Sequence, residues 1–245
     1  MLQGKAYVFS GNGSAWKQTA ILTAVDGSAL ATFGSSVALD GNPAVVGAAG
    51  VNGYVGAAYV FDGSGGTWTQ IGELVPADGL ATEFFGISVA VSGATALVGA
   101  YNQRIDGHNG QGAAYVFAES GGAWSQQQKL TASDGAASAR FGLSVAVDGT
   151  TALVGSYFAS IDTHAQQGAA DVFAQADGVW TQTDKLVASD GAAVDHFGNA
   201  VSLSGDTAMV GALDAALGAN ASQGAVYLYG PMVDDTIFGD EFEGP

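Results

Sequence analysis

Apolar and polar positions follow a pattern along this chain that repeatedly starts again. Phe141-Gly142-Leu143-Ser144-Val145-Ala146-Val147 is almost wholly apolar and β-prone, and Asp148-Gly149 ends it as a turn. Such a turn is expected to be type I′, with positive φ at both central positions. Thr151 to Gly155 reads as the return strand, and a polar stretch, Ser156 to Gln167, follows. Gly168 to Phe173 is a third strand, and Ala176-Asp177-Gly178 turns the chain again. Val179 to Leu186 mixes apolar and polar residues, as expected of an outer, half-exposed strand. No apolar stripe at helical spacing appears, which excludes a helical solenoid.

The third-strand block recurs. Gly-Ala-Ala-Tyr-Val-Phe starts at Gly56 and Gly112, with variants at Gly4, Gly168 and Gly224, so the offsets are 52, 56, 56 and 56 residues. Four antiparallel strands in each unit of this length describe a blade of a β-propeller. We label the strands A to D from inside to outside. Phe33, Phe85, Phe141 and Phe197 occupy one repeated position, and Trp16, Trp68, Trp124 and Trp180 another. A large aromatic buried between blades at such positions stabilises each interface by roughly 1.5–3 kcal/mol. A parallel β-helix is the weaker rival, since its coils need no hairpins.

The expected fold is therefore all-β, a propeller of four-stranded antiparallel blades. The chain opens on strands C and D, runs through three complete blades and closes on A, B and C. Either the N-terminal D strand completes the last blade and closes a ring of four, or the ends leave a fifth, incomplete blade. Residues 1–230 form the propeller, and residues 231–245 are an acidic C-terminal tail, expected to be flexible. The repeat begins in mid-phase with no visible signal peptide, which suggests a processed or shortened chain.

Charge narrows the partners. Six Lys plus Arg against 23 Asp plus Glu give a net charge of −17. No basic stripe is available for nucleic acid, anionic membrane surfaces should repel the chain, and no apolar run reaches bilayer-spanning length. There are no cysteines, so disulfides, thiolate metal sites and Cys nucleophiles are excluded.

The combined motifs resemble the bacterial FG-GAP repeat family, related to the propeller of integrin α chains. They are Phe-Gly-x-Ser-Val-Ala at Phe33, Phe85 and Phe141, with a variant at Phe197; Val-Gly-Ala at Val46, Val98 and Val210; Tyr-Val-Phe; and the Trp strand ending in Lys-Leu before Ser-Asp-Gly-Ala. The resemblance covers nearly all of residues 4 to 229. It implies the propeller fold and a non-catalytic binding or adhesion module of a secreted or cell-surface protein. Integrin-type repeats often carry an Asp-rich Ca²⁺ loop between strands A and B. Here that connection is Asp40-Gly41-Asn42, Ser92-Gly93-Ala94, Asp148-Gly149-Thr150 or Ser204-Gly205-Asp206, too poor in carboxylates to surround the ion. No cofactor is expected, Ca²⁺ and transition metals being the reserve candidates.

The B–C and D–A loops share one side of a propeller. The A–B and C–D turns on the other side are short and Gly-rich. The B–C/D–A loops vary while the strands repeat, as in a scaffold that presents a binding surface. Candidate ligand-binding residues there are Tyr101, Arg104, Asp106, His108, Arg140, Tyr157, Asp162, His164 and His196. Ile105-Asp106-Gly107-His108 matches Ile161-Asp162-Thr163-His164 one repeat later. If neighbouring loops met, Asp106, His108, Asp162 and His164 would supply carboxylate and imidazole for Zn²⁺ or a similar ion. The alternative is a duplicated loop with solvated or capping histidines. Asp26, Asp78, Asp134 and Asp190 precede Gly and read either as a carboxylate ring or as turn-forming residues. Ser160, Asp162 and His164 lie too close in one loop to form a hydrolytic triad readily.

The leading expectation is a non-catalytic module recognising a protein or glycan ligand. One alternative is a polysaccharide lyase or hydrolase with its site at the channel mouth. The other is a structural protein that is not a simple monomer but associates through blade edges.

Overall fold

The computed structural model describes residues 3–230. The acidic tail therefore lies outside the described residues. The described residues form a propeller arrangement of blades, all β apart from one short turn of helix at Val51–Tyr54. The first sheet pairs β1 (Ala6–Gly11) with β2 (Trp16–Leu22). The first full blade runs β3 (Phe33–Leu39), β4 (Pro43–Ala48), β5 (Ala57–Asp62) and β6 (Thr69–Leu74). The second runs β7 (Ser88–Ser92), β8 (Thr95–Ala100), β9 (Ala113–Ser120) and β10 (Ala123–Leu130). The third runs β11 (Phe141–Asp148), β12 (Thr151–Ser156), β13 (Ala169–Ala176) and β14 (Val179–Leu186). The fourth has β15 (Phe197–Ser204), β16 (Thr207–Ala212) and β17 (Ala225–Tyr229).

Every pairing within these sheets is antiparallel between chain neighbours, as the hairpin signals require. Among the described residues β2 pairs with β1 and with no strand of the fourth blade. The half-blade reading of the N-terminus thus holds over ring closure by strand exchange. The turn chemistry also differs from expectation. Asp148 pairs with Thr151, so the two-residue loop is Gly149-Thr150, and only Gly149 has positive φ (55°). A glycine at the first central position is the II′ arrangement. Both central residues are left-handed instead at Asp177 (51°) and Gly178 (81°), between the paired Ala176 and Val179.

The core lies between sheets. In one inter-blade cluster Val45, Val60 and Leu74 of the first blade pack on Phe85, Val89, Tyr115 and Phe117 of the second. Equivalent clusters occupy the other junctions. Phe85 meets Tyr115 and Phe117 edge-on, at 5.4 and 5.9 Å between centroids, a favourable aromatic arrangement. The Trp position behaves differently. Trp180 is buried, Trp68 and Trp124 are half-buried and Trp16 is 69% exposed. Trp lies on or beside the outer strand, where cover from the preceding blade is uneven, so the interface energy expected there belongs mainly to the Phe position.

The Phe-Gly and Val-Gly-Ala motifs have one physical cause. A Cβ on Gly155 would overlap the carbonyl oxygen of Gly198 in the next blade. The same holds for Gly47 against Gly86 and Gly99 against Gly142. Ser36, Ser88 and Ser144 donate to those carbonyls at 2.8, 2.9 and 2.8 Å. Glycine at these sites lets adjacent sheets approach to hydrogen-bonding distance.

The outer faces of the end sheets are bare among the described residues. Leu97 and Leu153 are fully buried, whereas Met209 at the same repeat position is 43% exposed. Val226 and Leu228, whose counterparts are buried, are 59% and 52% exposed. Tyr7 and Phe9 are likewise exposed on the opposite end.

Candidate functional site

The loop face is built by a repeated lock. Each D–A loop places the residue before its Phe in the left-handed region: Thr32 (53°), Phe84 (60°), Arg140 (61°) and His196 (56°). The backbone N–H groups of Phe84, Arg140 and His196 donate to Tyr54, Gly110 and Gln166, all in the B–C loop of the preceding blade. The next link runs within a blade: Asn102, Phe158 and Asp214 donate from their N–H groups to Glu83, Ala139 and Asp195. Each of Phe84, Arg140 and His196 is therefore clamped between two loops of successive blades.

Their side chains form a stripe across three junctions. Tyr54 meets Phe84 at 5.1 Å, and Phe84 stacks on Tyr101 at 5.2 Å and 19°. The Arg140 guanidinium lies 5.2 Å from the Tyr101 ring and donates to Asn102 Oδ1. Farther along, Tyr157 packs on Phe158 at 4.0 Å, and His196 lies 5.8 and 5.0 Å from these rings. His196 Nδ1 donates to Asp214 Oδ2 at 2.7 Å. Burial raises the Tyr157 phenol pKa; Arg140 draws it down and Tyr101 pushes it up.

Of the sequence candidates, this stripe unites Tyr101, Arg140, Tyr157 and His196. Arg104 is exposed and shares a cleft with Arg140. The tetrads behave otherwise. Ile105 bridges His108, and Ile161 bridges His164, closing two tight loops with Asp106 and Asp162 at φ 47° and 51°. The Nδ1 atoms of His108 and His164 are hydrogen-bonded with Gln111 and Gln167, at 3.2 and 3.0 Å. Each imidazole is thus held by an amide three residues on, within its own loop. Among the described residues no group of three or more His, Asp or Glu gathers where a metal ion would sit. Of the two readings of the tetrads, this geometry is that of a duplicated loop whose histidine is held locally, at His108 and again at His164.

The Asp-Gly carboxylates serve the fold. Asp78 accepts from Tyr115 at 2.8 Å and from Lys129 at 2.7 Å, and Asp190 accepts from Tyr227 at 2.7 Å. Burial opposes ionisation of Asp78, but the Lys129 and Tyr115 hydrogen bonds outweigh it and hold its pKa below the ordinary value. Burial, reinforced by the Asp78 hydrogen bond and charge, pushes the Tyr115 phenol far up. The A–B turns are committed similarly: Asp40 and Asp148 accept from the N–H groups of Gly93 and Gly205, both at 2.7 Å.

Sequence reasoning missed three features. Tyr54, Asn102 and Asp214 complete the stripe from positions with no motif. Glu83 and Asp195 are buried beneath it, accepting from the backbone at Leu80 and Ala192, both at 2.6 Å. Asp171 replaces the strand-C Tyr and is fully buried. It is paired with Lys185 at 2.9 Å and accepts from Gln182 and Ser156 at 2.8 and 3.3 Å. The signal was present: Asp171 and Ser156 break the repeat together.

The model of the FG-GAP repeat matches residues 16–61, 68–117, 124–173 and 180–229. No curated protein matches the chain. Among solved structures, Saccharomyces cerevisiae Sqt1 is similar at a TM-score of 0.47 and 10% identity, over 76% of this chain and 44% of that one. The chain thus spans less than half of that protein, and so remote a likeness carries no functional argument.

Proposed function

Since this chain belongs to the FG-GAP repeat family, a generic repeat-built binding module, we propose that it is the non-catalytic recognition part of a secreted or cell-surface protein, adhesive in role, that engages a glycan or protein through its B–C/D–A loop face. The observation that carries this is the Tyr54–Phe84–Tyr101–Arg140 and Tyr157–Phe158–His196 stripe. Its residues differ from copy to copy while the strands beneath stay nearly identical. Aromatic and arginine side chains supply large contact area and directional polar groups at low ordering cost, and they dominate known binding hot spots. The clamped loops hold them ready, so little entropy is lost on binding. The reading requires no metal, and binding is expected to survive chelation.

The test is a panel of immobilised glycans and extracellular-matrix proteins probed with the full chain, with Tyr101→Ala and with Tyr157→Ala. Loss of a hit by about tenfold or more with an unchanged circular dichroism spectrum supports the proposal. A hit retained by both variants refutes it.

A second reading is favoured by the bare end faces. Met209, Val226 and Leu228 at one end and Tyr7 and Phe9 at the other suit association of copies through these end-blade faces, as successive blades pack within the chain. Sedimentation from 1 to about 100 µM should show reversible association that Leu228→Thr with Val226→Thr abolishes; a monomer throughout that range overturns it.

A further inference from the structure

A cleft of about 320 Å³ opens on the loop face where the second and third blades meet. Its charged lining residues are Glu83, Arg104 and Arg140. These arginines are the only two in the chain. They lie 36 positions apart in sequence and arrive from different loops, a B–C loop and a D–A loop. Among the described residues neither takes part in an ion pair, whereas Lys129 and Lys185 do. Glu83 does not neutralise them. Its carboxylate is turned to the backbone, accepting from Leu80 N–H at 2.6 Å and from the backbone of Arg104, and burial raises its pKa.

Two guanidinium groups without a carboxylate partner among the described residues, in a protein with 23 acidic residues, form a local exception to the field of the molecule. Arginine presents a planar fork of donors that matches a carboxylate in two-point geometry. The remaining polar lining includes Asn102, Asn109 and Ser138, amide and hydroxyl groups suited to sugar hydroxyls. The volume sits at the lower end of small-ligand sites, enough for one ring with its carboxylate rather than for a folded peptide segment.

We propose that this cleft is a subsite for a uronic-acid residue of an acidic glycan, with Arg104 and Arg140 holding the carboxylate and the amide and hydroxyl groups holding the ring hydroxyls. The inference rests on the loop-face reading and names its ligand chemistry. Arg140 is already oriented by Asn102 and by the Tyr101 ring, so the stripe and the subsite are continuous.

The experiment titrates the full chain with trigalacturonate, with the neutral galactose trisaccharide and with a short poly-glutamate peptide, read by calorimetry and ligand-observed NMR. Trigalacturonate is expected to bind about tenfold or more tightly than the other two. Arg104→Ser and Arg140→Thr place residues already present in other copies (Ser160 and Thr32), so the fold should tolerate them. Each is expected to weaken trigalacturonate binding by about tenfold with an unchanged melting curve. The proposal is overturned if trigalacturonate and the neutral trisaccharide bind alike, if neither arginine variant changes trigalacturonate binding, or if poly-glutamate binds as tightly. Failure here is distinguishable from failure of the loop-face reading. If another panel ligand is still lost with Tyr157→Ala, that reading stands and only the uronate subsite falls.

Discussion

Replacing Lys185 with methionine should be among the most damaging single changes outside the apolar core. Asp171 is fully buried, at 0% exposure, and Lys185 bridges it to Asp134 at 2.9 and 3.0 Å. In the second and fourth blades a tyrosine at this position donates directly to the Asp-Gly carboxylate, so no buried charge exists there. Burial pushes the Asp171 carboxyl up, while the Lys185 charge and hydrogen bond draw it back. Lys185→Met leaves the Asp171 carboxylate with Gln182 and Ser156 alone. Removing one partner of a buried pair costs about 3–5 kcal/mol; uptake of a proton by Asp171 should bring this to the lower end, about 3 kcal/mol. Asp171→Tyr with Ser156→Ala recreates the second-blade pattern and should be neutral or stabilising. In that background Lys185 keeps only the partly exposed Asp134, and its loss should cost about 1 kcal/mol or less. Urea unfolding of the four proteins at pH 7, followed by Trp fluorescence and circular dichroism, gives the coupling, expected near 2 kcal/mol. Equal costs of Lys185→Met in both backgrounds would refute the reasoning. The pH dependence adds a check. Burial lowers the Lys185 pKa, but Asp171 and Asp134 outweigh that and raise it above the ordinary 10.5. The stability it contributes is therefore complete below pH 10.5 and lost as pH rises through the elevated value. Lys185→Met should abolish that alkaline loss.

Three further outcomes follow from the same interactions. Asp78, with a depressed pKa, contributes stability that is present above pH 3.8 and lost as pH falls through its lower folded value. Asp78→Asn should flatten that acid limb in urea titrations and cost about 1 kcal/mol at neutral pH, because the group is half exposed. Gly155→Ala should destabilise by about 2 kcal/mol or more by forcing Gly198 away. Gly211→Ala, whose nearest neighbours stand at 3.7 Å, should be close to neutral, and thermal melts distinguish the two. Tyr54→Ala should weaken any ligand engaged by the first junction of the stripe by about tenfold without shifting the melting temperature.

The architecture was legible because repetition converts weak strand signals into one strong one. Phe85, Phe141 and Phe197 are recognisable as interface anchors from the sequence, since an apolar residue recurring amid small ones has few other uses. The Asp148-Gly149 turn was harder. Register with Thr151 shifts the loop by one residue, and register depends on cross-strand pairing that spacing alone does not fix. Trp16 and Trp180 share a repeat position but not an environment, because burial there depends on a neighbouring blade. The histidine tetrads admit both a shared ligand set and a duplicated loop, and spacing alone does not separate them; contact of His108 with Gln111 and of His164 with Gln167, each within its own loop, is the duplicated-loop arrangement. The stripe itself needed coordinates. Phe84 contacts Tyr54 and Tyr101, and these encounters come from loops of successive blades. The Asp171 network was partly readable, since Ser156 and Asp171 depart from the repeat together and Lys185 lies on the adjacent strand.

The most direct measurement of the central claim is backbone amide chemical-shift mapping of the full chain with a bound panel ligand. The account predicts perturbation concentrated in residues 49–55, 80–84, 101–111, 136–140, 157–167 and 192–196, with the A–B turns at 40–43, 92–95 and 148–151 unaffected. Perturbation centred on those turns, with the loop face silent, would contradict it.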